Sequence, residues 1–114
     1  MEKLRIYQTA IDLLTEIYSL IRKHKNLSAD WSLCDQVKRA SISVAANIAE
    51  GYLRSKNHFK NYLKIASGSA NEVVALLQVI QNVHGVNTVG LQESYKILAK
   101  QISSFSTRLK SNFN

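Results

Sequence analysis

Apolar side chains recur at alternating spacings of three and four in four separate blocks of the chain. The first block reads Leu4, Tyr7, Ile11, Leu14, Tyr18, Ile21, and the second Leu33, Val37, Ala40, Val44, Ile48. The third reads Phe59, Leu63, Ala66, Ala70, Val73, Leu77, Ile80, and the fourth Leu91, Tyr95, Leu98, Ile102, Phe105, Leu109. This is the period of a helix with one buried face, and no period-two alternation competes with it. Ser32, Ser55 and Thr88 stand where N-caps are wanted, and Gly85 can close the third helix in a left-handed conformation. The connections Lys25–Asp30, Arg54–Ser55 and Val86–Asn87 are short, so successive helices pack as antiparallel neighbours. The prediction is all-α: one up-and-down four-helix bundle over residues 1–114, with no internal repeat or low-complexity tract.

Two helices carry more apolar surface than one core face uses. Beside its main stripe the first helix has a second one, Ile6, Ala10, Leu13, Ile17 and Leu20. The third helix adds Val74, Leu76, Val79 and Val83. A bundle helix needs a stripe of about 100°, and surplus apolar surface is usually covered by another subunit. A homo-oligomer is therefore expected, against the plainer alternative of an unusually wide core face.

Composition narrows the class. Proline is absent and glycine occurs four times, so little interrupts long helices. The single cysteine, Cys34, excludes an intramolecular disulfide and points to a reducing, cytoplasmic setting. The start MEKLRIYQTAIDLL carries acids and amphipathic periodicity, unlike a signal or transit peptide. No run of apolar residues approaches the length needed to cross a bilayer, and no membrane contact is expected.

The charge is +7 and uneven. Residues 1–50 hold seven Lys/Arg against six Asp/Glu, whereas residues 51–114 hold eight against two. The eight are Arg54, Lys56, Lys60, Lys64, Lys96, Lys100, Arg108 and Lys110. Lys56, Lys60 and Lys64 recur every four residues, so they project from one helical face with rises of about 6 Å. Lys96 and Lys100 repeat that spacing on the fourth helix, which neighbours the third. Interleaved amides (Asn57, Asn61, Gln92, Gln101) suit phosphate and sugar contacts. No helix-turn-helix or RNP motif is present to read base edges. This chemistry supports sequence-independent binding of RNA or DNA through those eight cations. The alternative is a solvated lysine face on a non-enzymatic scaffold for protein interaction.

A polar, small-residue seam, Gln36, Ala40, Ser43, Asn47, Glu50 and Arg54, runs beside the apolar stripe of the second helix. The third helix answers it with Ala66, Ser67, Gly68, Ser69 and Ala70, small enough to let a neighbouring backbone come close. Polar groups at such a contact must be hydrogen-bonded. Arg39, Ser43, Asn47, Glu50 and Ser69 are therefore expected to form a buried structural network.

Catalytic and metal signatures are missing. Glu50 and Glu72 lack the E-x-x-H partner of a di-metal bundle. His24, His58 and His84 lie far apart near helix ends, with no paired Cys/His motif, and read as cap or solvent residues. Cys34, in the first turn of its helix, has no base partner and reads as a packed thiol. SGSAN at 67–71 lies within a helix and is no nucleophile elbow, and no phosphate-binding fingerprint occurs. Trp31 reads most simply as an anchor over the helix ends, with base stacking as the alternative. No enzyme activity, cofactor or metal is expected.

The run DQVKRASISVAANIAEGYLRSKNHFKNYLKIASGSANEV resembles the signature of the bacterial "four helix bundle protein" family. That family is known from intervening sequences in large-subunit ribosomal RNA genes. It includes the accessory variability determinant proteins of diversity-generating retroelements. The matching positions are Gln36, Arg39, Ala40, Ser43, Asn47, Ile48, Ala49, Glu50, Gly51, Ser55, Phe59, Leu63, Ala66, Ser69 and Glu72. Val44 stands where the family often has proline. The resemblance implies a four-helix bundle assembled as a ring-like homopentamer. In the retroelement branch it implies binding of nucleic acid and of a reverse transcriptase.

Overall fold

The computed structural model describes residues 2–110. Its helices are α1 (Glu2–Lys23), α2 (Lys25–Ser28), α3 (Trp31–Tyr52), α4 (Lys56–His84) and α5 (Val89–Lys110). The four long ones pack side by side into a rod of 51 × 21 × 21 Å. Each touches two neighbours, in the cycle α1–α3–α4–α5–α1, and among the described residues the diagonal pairs do not meet. The one-turn helix α2 fills the connection read as a loop, and it drops Leu27 into the core with no exposure at all.

The predicted stripe of α4 is its core stripe residue for residue, and that of α3 is wholly buried, joined there by Cys34, Ser41, Ala45 and Gly51. On α5, Tyr95, Leu98 and Ile102 are buried, while Leu91, Phe105 and Leu109 are half-buried against them. On α1 the order is reversed. Ile6, Ala10, Leu13, Ile17 and Ile21 form the core, and the stripe expected to lead, with Tyr7, Ile11, Leu14 and Tyr18, is only half-buried. The physical reason lies in the side chains. Ala10 lets α1 approach its neighbours closely, while the two tyrosines keep their hydroxyls near water when placed on the flank.

Helix ends show which polar groups the chain commits. The cap of α3 is Asp30, not Ser32: its carboxylate accepts from the Leu33 amide at 3.3 Å. Ser55 caps α4 as expected, accepting from the His58 amide. Gly85 follows α4 at φ +67°, a conformation that costs a side-chain-bearing residue free energy. Thr88 precedes α5, and its carbonyl accepts the first helical bond from the Gln92 amide, 2.8 Å. Its hydroxyl turns back instead, donating to the Leu77 carbonyl at 2.8 Å.

α4 is long enough to span a bilayer, with an 18-residue stretch of mean hydropathy 1.2. Much of that hydropathy belongs to Leu63, Ala66, Ala70, Val73, Leu77 and Ile80, all turned into the bundle. It is a core helix with apolar residues left over: Ile65, Val79 and Val83 are exposed.

Candidate nucleic-acid interface

The relative position of α4 and α5 decides whether the lysine rows meet. Three contacts fix it. Ser67 Oγ lies 2.9 Å from Ser103 Oγ and donates to the Ala99 carbonyl at 3.3 Å. Phe59 and Phe105 meet edge to face with centroids 5.8 Å apart. At the turn, the Gln81 side-chain oxygen accepts from the Thr88 amide at 2.9 Å, and the Gln92 amide group donates to the Thr88 hydroxyl at 2.9 Å. The last group of bonds is buried or part-buried and binds the two helices into one hairpin.

Between them runs a groove of about 300 Å³, lined by Ser67, Asn71, Lys96, Ala99, Lys100 and Ser103. Lys64 stands one turn before Ser67 on the same side of α4 and is exposed, as is Lys56. Lys60, between them, is half-buried. Glu93 Oε2 lies 4.0 Å from Lys96 Nζ. Glu72 is exposed five residues beyond Ser67, on a part of α4 turned away from α5.

The remaining cations of the predicted set do not join this groove. Arg54 is drawn to the α3–α4 corner, where it pairs with Glu50 (Nη2 to Oε2, 2.6 Å) and lies 5.8 Å from the Tyr62 ring. Arg108 lies against α1: with Arg5, Ile6 and Gln101 it lines a separate cavity of about 400 Å³, and its guanidinium donates to Ser104 Oγ at 2.8 Å. The Lys110 side chain lies outside the described residues. Gln92, read as a phosphate-contacting amide, is buried and engaged by Thr88.

The expected polar network is smaller than its sequence suggests. Ser43 Oγ lies 2.8 Å from Ser69 Oγ, and the Asn47 amide donates to the Ser43 carbonyl at 2.8 Å and to its hydroxyl at 3.0 Å. These three tie α3 to α4 at half-buried positions. Glu50 and Arg39 do not take part. Both are exposed and pair within α3 or its end, Glu50 with Arg54 and Arg39 with Asp35 at 2.8 Å. A charged group reaches water more cheaply than a buried partner, so each turns outward.

Close approach between α3 and α4 depends on Gly51. A Cβ there would meet Tyr62 Cβ at 2.7 Å and Phe59 Cδ1 at 2.8 Å. Gly68, expected to serve that purpose, faces open space instead.

Asp30, His84 and Cys34 have structural partners. His84 Nε2 lies 2.9 Å from Asp30 Oδ2, joining the end of α4 to the cap of α3. That bond, followed by the one from the Leu33 amide, holds the Asp30 carboxyl below its ordinary value. Cys34 donates its thiol to the Leu27 carbonyl at 3.0 Å, and burial pushes its pKa up, so it is a poor nucleophile. No group of three or more His, Cys, Asp or Glu able to hold a metal occurs among the described residues. Trp31 is not the anchor it was read to be. It is 84% exposed, at the edge of a cavity of about 480 Å³ lined also by Ile21, Ser28, Asp35 and Lys38. Leu27 does the anchoring.

Fold and surface together define a basic antiparallel four-helix bundle whose excess of positive over negative side chains lies mainly on the α4–α5 hairpin. Residues 2–111 match the family "23S rRNA-intervening sequence protein", and the chain belongs to that family. A solved structure with the same fold is that of a protein of unknown function from the S23 ribosomal protein family of Bacteroides thetaiotaomicron. It superposes with a TM-score of 0.84 at 21% identity, covering 94% of this chain and 99% of that one. Comparison with curated proteins finds no match.

Proposed function

We propose that this protein is a nucleic-acid-binding accessory bundle that holds its ligand through phosphate contacts and does not read base sequence. One observation carries the reading: Lys96 and Lys100 line a groove together with the hydroxyl and amide groups of Ser67, Asn71 and Ser103, and Lys64 and Lys56 are exposed further along the Ser67 face of α4. Cations over a polar floor favour a polyanion, because each neutralised phosphate releases condensed counterions. The floor offers hydrogen bonds suited to sugar and phosphate.

The family resemblance extends the proposal to a partner, a reverse transcriptase of a diversity-generating retroelement, and to a ring-like homopentamer. Surface chemistry supports assembly. Lys38 Nζ sits 5.0 Å from the Tyr18 ring, so the half-buried stripe Tyr7, Ile11, Leu14, Tyr18 lies on the α3 side of α1. One turn beyond Lys38, α3 exposes Ile42, and at its end Leu53. A ring would cover that apolar face and repeat each weak basic patch, and multivalency would raise affinity without new contacts. The same apolar face favours a second reading, a protein-interaction scaffold whose lysines only solubilise it.

Filter binding of the full chain to duplex DNA, single-stranded DNA and RNA at low salt separates the two. Binding that is indifferent to sequence and weakens steeply with salt is expected. A protein that retains none of the three ligands is the scaffold.

A further inference from the structure

Resting on that nucleic-acid reading, we infer that the ligand is a duplex, gripped along one phosphate backbone by a diagonal line of lysines crossing from α4 to α5. The register set by Ser67 with Ala99 and Ser103 places Lys100 level with Ser67, one turn past Lys64. Because α5 runs antiparallel, Lys96 lies a further turn along. The order along the bundle is then Lys56, Lys60 and Lys64 on the face of α4 that carries Ser67, followed by Lys100 and Lys96 at the groove. Helical rise sets the length of this line at about 22 Å, with successive lysines about 4–6 Å apart along the axis. It is a single track, not two facing rows, so it follows one backbone and does not clamp a strand from both sides. Its length is about two-thirds of a duplex turn of 34–36 Å.

The groove floor points the same way. Proteins that hold single strands pair a basic channel with aromatic side chains on which unpaired bases stack. Here the lining is Ser67, Asn71, Ala99 and Ser103 between the lysines, with no ring among them. Phe59 and Phe105 are spent on each other within the bundle. Among the described residues the exposed Trp and Tyr rings, Trp31 and Tyr52, belong to α3, which does not touch α5. The described groove lining offers an unstacked base no ring to stack on. A duplex, whose bases are already stacked, loses nothing there.

Fluorescence anisotropy on the full chain tests this, with a mixed-sequence duplex of about 20 base pairs and an oligo(dT) of equal length, across a salt series. The duplex should bind at least tenfold tighter. Lys64→Gln and Lys100→Gln, on different helices, should each flatten the duplex salt slope by the same amount, about 0.9 per engaged subunit. Trp31→Ala should change neither affinity, with circular dichroism confirming that each variant is folded. Oligo(dT) bound as tightly as duplex, a tenfold loss on Trp31→Ala, or a slope that responds to only one of the two lysines would overturn the duplex track while leaving nucleic-acid binding intact. A protein that binds neither probe overturns both.

Discussion

His84 Nε2 and Asp30 Oδ2, 54 positions apart in the chain, meet at 2.9 Å and fasten the last turn of α4 to the first turn of α3. Asp30 at the same time caps the Leu33 amide, so one carboxylate holds two helix ends. Its pKa is lowered in the folded protein, first by His84 and then by Leu33. A depressed carboxyl stabilises the fold above its unfolded value of 3.8 and loses that contribution as pH falls through the folded value. The melting temperature of the wild type should therefore drop more steeply below about pH 4 than that of Asp30→Asn. The gap between the two should be full at pH 6 and close at the acid end. A constant gap across the range would show that the carboxylate charge plays no part.

Glycine-to-alanine changes at two positions should have opposite signs. Gly51→Ala forces a Cβ to within 2.7 Å of Tyr62 Cβ, which does not yield as the tip of a side chain would. Overpacking of this kind costs about 1–3 kcal/mol. Gly68→Ala meets nothing and replaces the weaker helix former within α4, a gain of about 0.8–1 kcal/mol. Urea unfolding of both variants measures this directly, and a loss at Gly68 would mean that its face is covered.

Tyr95 is fully buried, and its hydroxyl makes no hydrogen bond among the described residues. Burial, and to a lesser degree Glu16, push its pKa far above the ordinary tyrosine value. An unsatisfied buried hydroxyl costs about 1–3 kcal/mol, so Tyr95→Phe should leave stability unchanged or raise it. If the variant instead unfolds at lower urea, the hydroxyl has a partner in the assembled protein.

The α1–α3 apolar face should govern assembly. Light scattering of the wild type in moderate salt should report a multimer, most simply of five chains. Introducing a charge at the exposed or half-buried edge of that face, Ile42→Asp or Leu14→Asp, should shift it towards the 12.8 kDa monomer. A wild type that is already monomeric at micromolar concentration removes the ring from the proposal.

The four long helices and three of their four core stripes were legible in the sequence, because burial of one face leaves a periodic trace, whereas the one-turn α2 was not. On α1 two apolar stripes compete, and the choice between them rests on how closely Ala10 allows neighbours to pack, which periodicity does not record. The lysine rows could be read, but their junction across α4 and α5 depends on the Ser67–Ser103 register, a relation between residues 36 apart. Seam residues were mixed for a similar reason. Asn47 and Glu50 share one helical face, yet the long charged side chain escapes to Arg54 while the short amide bonds back to Ser43. The Gln81–Thr88–Gln92 clasp carried no advance signal, since glutamine is a common surface residue of helices.

The cycle of helix neighbours also orders events in time. Three of its four links join helices consecutive in the chain apart from the one-turn α2, and only α1 with α5 closes over a long span. Local contacts form fast because little loop entropy opposes them. The α3–α4–α5 portion has the most extensive packing and the partly buried clasp, so it is expected to form early and α1 to dock onto it last. Under native conditions α1 should accordingly exchange its amide hydrogens sooner than α4, opening as a unit of its own. Since α1 bears half of the apolar face assigned to assembly, subunit joining and the completion of folding would be one step, and dilution of the ring would loosen each bundle from the same edge.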